Sequence, residues 1–228
     1  VAKRSPENNR RRIIEEQRRK ARAQERRKTI MTIVLSTLLG AALIGGSVYF
    51  SVKNKNKPAV TALRKVGLAK DAAGCLDPKS EAIPDAATGA TKHTARDGDH
   101  VDYDKSPPTS GRHNPTPLPV GAKKFYSRSE NPPPERAVHN LEHAYVVVWY
   151  DKKATDAQID LLKKAADGAE GKFLIVPWDR GDFPDDKHIV LTAWGERQEC
   201  GDVSGAVIQD FYDKFGGPNG KAPEKAAI

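Results

Sequence analysis

The sequence predicts an α+β protein: an N-terminal transmembrane helix followed by a small mixed-sheet domain with a β-α-β-β-α core. Three observations carry that expectation. Residues 29–52 are apolar and hold no charged side chain. The second half alternates short β-branched and aromatic runs with amphipathic stretches. The region from residue 75 to about 143 is instead rich in Pro, Gly, Asp and His, which predicts loops and short strands.

The charge distribution orders the N-terminal elements. Residues 1–28 hold twelve Lys and Arg against four Glu, while residues 53–228 hold 26 basic and 26 acidic side chains. The whole net charge of +8 therefore sits in the first 28 residues. Within them, Glu15–Arg19 and Glu16–Lys20 have the i,i+4 spacing that supports a helix. Arg18, Arg19, Lys20, Arg22, Arg26, Arg27 and Lys28 suit the anionic headgroups of a lipid bilayer. The balanced charge after residue 52 gives no electrostatic purchase on nucleic acid.

At about 1.5 Å per residue, 24 apolar residues span a bilayer core of about 30 Å. A cleaved signal would have a shorter basic lead and a small-residue cleavage site close behind. Ten basic residues lie in the 20 positions before the run and six in the 20 after it. The positive-inside rule then predicts a single-pass plasma-membrane protein with a cytoplasmic N-terminus and an extracytoplasmic domain. Ala41 with Gly45 and Ala42 with Gly46 offer small pairs through which spans, including those of other membrane proteins, pack closely.

Beyond the apolar run the pattern gives a linker at 53–74, a globular domain at 75–222 and a tail at 223–228. Strands are expected at 144–150, 172–178 and 189–195. A helix capped by Thr155 lies between the first two, and another covers 205–217. The first two strands should pair in parallel through a right-handed crossover, with the third antiparallel. Cys75 and Cys200, the only cysteines, read as one disulfide in an oxidising compartment. Closing so long a loop stabilises a domain by about 4–5 kcal/mol in the chain-entropy model. Two unpaired buried thiols are the alternative.

All six histidines lie beyond the apolar run: His93, His100, His113, His139, His143 and His188. His113 closes the segment PPTSGRH, and His139 and His143 bracket HNLEH. On a helix, or at an even offset on a strand, His139 and His143 share one face. His113 and His100 are candidates to complete a metal site, with Glu142, Asp102, Tyr103 and Ser110 around it. The only methionine is Met31 and the cysteines read as paired, so the donor set suits Zn or Cu(II) rather than Cu(I). His139-x-x-Glu142-His143 also matches H-x-x-E-H, the pattern of a metal-dependent peptidase, but a strand begins almost at once. Ser110 before His113 reads as a turn residue rather than a nucleophile.

PPTSGRH and HNLEHAYVVVWY, with LTAWG and the late cysteine, resemble a bacterial family known as domain of unknown function 3105. The resemblance covers residues 75–217. It implies a membrane-tethered domain without an assigned activity. That family usually has Gly where this chain has Ala144. Two functions remain open: an anchored protein with a histidine metal site, or a non-catalytic interaction module of a membrane or envelope complex. A metal-dependent hydrolase is the remote third.

Overall fold

A computed structural model describes residues 15–16, 18–20, 22, 24–34, 36–37, 62–119, 121, 123–184 and 186–227. The chain divides into two compact units, Val1–Lys55 and Asn56–Ile228. In the first, the described residues are helical and exposed, and Lys20 pairs with Glu16 at 2.9 Å. Among the described residues no helix is long and apolar enough to cross a membrane. This corrects the expected transmembrane helix over 29–52 and the single-pass plasma-membrane localisation built on it. The described helical residues are dominated by the charged stretch Glu15–Lys28. From the apolar run they include only 29–34, 36 and 37, well short of the roughly 20 residues a span requires. Positions 35 and 38–52, with the Ala41–Gly45 and Ala42–Gly46 pairs, lie outside the described residues.

The second unit is built on a mixed five-stranded sheet: beside the three strands expected in the second half it has Lys79–Ser80, in the stretch where short strands were expected, and Glu196–Cys200, which was not expected. Its elements are β1 (Lys79–Ser80), α1 (Pro134–Glu142), β2 (Val146–Tyr150), α2 (Asp156–Gly168), β3 (Phe173–Pro177), β4 (Ile189–Ala193), β5 (Glu196–Cys200) and α3 (Gly205–Phe215). The strand order is β1-β5-β4-β2-β3. β2 and β3 are parallel across the α2 crossover, and the other pairs are antiparallel. Alternation along the strands splits the core in two. Val146, Val148 and Tyr150 pack with Leu162 of α2 and Phe211 of α3. Val147 and Trp149 turn the other way, toward Ala137 and Leu141 of α1. Among the described residues α1 is therefore the one α-helix against this face of the sheet, with Ala87 of a short 3-10 turn packed in the same layer, and it is buried almost all round.

Strand β5 is the element that hydrophobic patterning misses. Its sequence is ERQEC, yet all five residues are buried. Polar partners replace apolar ones. Arg197 pairs with Glu81 at 2.9 Å, Glu196 with Lys221 at 2.6 Å, and the Gln198 amide donates to the Leu76 carbonyl at 2.7 Å. The Cys75–Cys200 disulfide, joining residues 125 apart, ties the end of β5 to the segment before β1.

The end of α1 sets the direction in which the chain enters β2. The Tyr145 N–H donates to Asn140 O and the Ala144 N–H to Leu141 O, both at 3.0 Å, which together close the helix in a Schellman turn. Such a turn needs a left-handed residue, and Ala144 occupies it at φ +64°. An L-residue there costs about 1–2 kcal/mol, of which glycine's greater chain entropy returns up to about 1 kcal/mol. Ala144→Gly should therefore raise unfolding stability by about 0.5–1 kcal/mol in urea titration. An unchanged or lower midpoint would mean that the lost methyl contact outweighs the relieved strain.

Candidate metal centre

Two segments meet at α1. The His113 N–H donates to Lys92 O at 2.9 Å, and the Thr94 N–H to His113 O at 2.8 Å. This short parallel bridge lays residues 92–94 beside the loop that ends PPTSGRH and brings the His93 and His113 rings within 5.0 Å. The loop then docks on the helix, where the Asn114 N–H donates to Glu135 O at 3.4 Å. From α1 the His139 ring lies 5.1 Å from His93, 4.9 Å from His113 and 4.7 Å from His143.

Backbone carbonyls decide which ring nitrogens face inward. His113 Nδ1 lies 2.8 Å from Gly111 O, and His139 Nδ1 lies 2.7 Å from Asn114 O. A carbonyl only accepts, so each Nδ1 carries a proton; in the neutral form of either ring Nε2 is the lone-pair nitrogen, whereas His113 donates from Nε2 to Glu142 when it carries a second proton. This is the outer support that metal-binding imidazoles commonly have. His113 Nε2 lies 3.2 Å from Glu142 Oε2, and His139 Nε2 lies 3.1 Å from His143 Nε2. His93 Nε2 is buried and, among the described residues, has no hydrogen-bond partner. One donor atom from each of His93, His113, His139 and Glu142 falls within 4.8 Å of all the others. A tetrahedral ion with bonds near 2.0–2.2 Å spaces its donors about 3.4 Å apart, so only a modest contraction is required.

The electrostatics favour the ligand forms. Burial is the largest influence on Glu142 and opposes its charge, but hydrogen bonds from His113 and Lys92 and their charges outweigh it, holding the carboxyl down to about 2. His139 is held down to about 4, chiefly by burial, with His113, His143 and His93 adding to it against the Asn114 bond. Burial, then His113 and Lys92, also lower His93. Near neutral pH the site thus offers an ionised carboxylate and, at His93 and His139, uncharged imidazoles, the states a metal needs.

The residues expected from sequence separate into three places. His113 and His139 lie in the cluster, and Glu142, expected as an outer support, offers one of the four atoms there that could hold an ion. His143 falls in an adjoining group with Glu142 and Glu224. His100 is elsewhere, with Nε2 2.9 Å from Asp102 Oδ1 and Nδ1 3.5 Å from Glu135. Asp102, Tyr103 and Ser110 line a separate cleft of about 390 Å³ with Thr109, Gly111 and Arg112. Sequence reasoning missed His93 as a candidate donor. No motif surrounds it, and its only signal is the bridge that pairs it with His113.

A family model described as a protein of unknown function (DUF3105) matches residues 93–228, a stretch that contains all four donors. No curated protein matches, and no solved structure does.

The lowered proton affinities set a pH dependence for the metal-free protein. Between the ordinary histidine value of about 6.5 and the His139 value of about 4, the unfolded chain binds a proton that the folded one does not. Stability therefore falls as pH drops through that window. From about 4.3 down to about 2 the depressed Glu142 carboxyl removes more, because only the unfolded state protonates there. In chelator-treated protein the urea midpoint should decline from pH 6.5 to 4.5, with a shallower slope in His139→Gln. A level wild-type midpoint, or a variant with the wild-type slope, would contradict this.

Proposed function

The chain belongs to the DUF3105 family, whose description assigns no chemistry, and we propose that this domain binds one transition-metal ion, Zn(II) or Cu(II), through His93, His113, His139 and Glu142. The convergence of three imidazoles and one carboxylate carries the reading, and the unpartnered Nε2 of His93 gives it direction. A buried polar atom without a partner is costly, and an ion bound at that lone pair satisfies it.

The donor set selects the ion class. Nitrogen-rich sites with one oxygen suit Zn(II) and Cu(II), and the cysteines are held in their disulfide. Four protein donors fill a tetrahedral shell, as in structural zinc sites, whereas catalytic sites keep one position open for water or substrate. This favours metal retention or handling over hydrolysis. Glu142 lies against His113 and Lys92 rather than free to activate water, so the H-x-x-E-H pattern does not take its peptidase form here.

A second reading rests on the same contacts without an ion. The Lys92–Glu142–His113 pairs by themselves link residue 92, the 113 loop and α1. On that reading the histidines hold the domain together as an interaction or assembly module.

Elemental analysis of the purified full chain after dialysis separates the two. The metal reading predicts one bound equivalent of Zn(II) or Cu(II). His113→Ala or His139→Ala should weaken binding by more than about 100-fold, beyond the 10–100-fold that loss of an outer-shell partner costs. His100→Ala should bind as the wild type does. A folded wild type without stoichiometric metal, or a His100→Ala variant as weak as His139→Ala, would favour the module.

A further inference from the structure

A second ring of donors lies beside the first. One atom each from Glu142, His143 and Glu224 falls within 4.8 Å of the others, and Glu142 belongs to both rings. Its two oxygens face different partners: Oε2 is 3.2 Å from His113 Nε2, and Oε1 is 3.0 Å from Lys92 Nζ. The same ammonium hydrogen-bonds to Glu224, whose Oε2 is 3.3 Å from His143 Nε2. The two carboxylates of this ring are thus held by a positive charge that the chain supplies.

Three features make that charge a fixture. Lys92 is flanked by the backbone bridge that also places His93, so its position is set with the first ring. Its side chain is only 20% exposed. Glu224 is brought in by its own N–H, which donates to Glu142 O at 3.2 Å. A carboxylate with one oxygen toward each of two positions is the arrangement that joins paired ions about 3.5–4 Å apart. Here an ammonium takes the second ion's part.

We propose that Glu142, His143 and Glu224 form a second divalent-cation position, which Lys92 keeps closed. The native centre then holds one ion, and removal of the ammonium makes it a two-ion centre bridged by Glu142. This rests on the metal reading given above.

The test is Zn(II) stoichiometry of the full chain, measured by elemental analysis after gel filtration. The wild type should bind one equivalent and Lys92→Ala two. Lys92→Arg, which keeps a cation, should stay at one, and Lys92→Ala/Glu224→Gln should return to one. If Lys92→Ala does not fold, Lys92→Met, which retains most of the stem, carries the measurement. A folded Lys92→Ala or Lys92→Met that still binds one equivalent, or a wild type that binds two, would overturn the closed second position and leave the first site intact. A wild type that binds none would remove both.

Discussion

A carboxylate shut away from water organises this domain. Glu142 is 1% exposed, and a charge so placed is tolerated only where opposite charges and hydrogen bonds surround it. They come from distant parts of the chain, Lys92 from the segment that carries His93 and His113 from the end of the PPTSG loop, and Lys92 also pairs with Glu224 of the C-terminal segment. Each partner that answers this charge also brings a ring or a second carboxylate to the same place. The donor cluster and the packing of the loops on α1 are one event.

The fold explains why α1 can host such a charge. A helix that, among the described residues, lies under loops rather than under a second α-helix has polar backbone within reach on its outer side. The carbonyls of Gly111 and Asn114 accept hydrogen bonds there from Nδ1 of His113 and His139. The Asn140 amide holds the same layer, accepting from the Leu118 N–H at 2.9 Å and donating to its carbonyl at 3.2 Å. An apolar helix on that side would leave those carbonyls unmatched.

Legibility in the sequence depends on the kind of signal each part gives. β2, β3 and β4 are runs of Val, Ile, Leu and aromatics, and α2 begins at the Thr155 capping box, so local pattern suffices for them. β5 is silent because its burial is secured by ion pairs outside the strand, Arg197 with Glu81 116 positions away and Glu196 with Lys221 25 positions away. His139 and His143 are legible from their one-turn spacing and His113 from its place beside a turn. His93 is not, because a two-residue backbone bridge determines its role. His100 misleads, since its proximity in sequence to Asp102 produces a local pair instead. Composition alone makes the apolar run a span, whereas the described helix is largely charged and covers little of that run.

X-ray absorption at the zinc edge of the metal-loaded full chain tests the central claim most directly. Three imidazole nitrogens and one oxygen at about 2.0–2.2 Å are expected, with the imidazole scattering pattern in the outer shells. A shell of oxygens with one imidazole or none would show that these histidines do not converge on an ion.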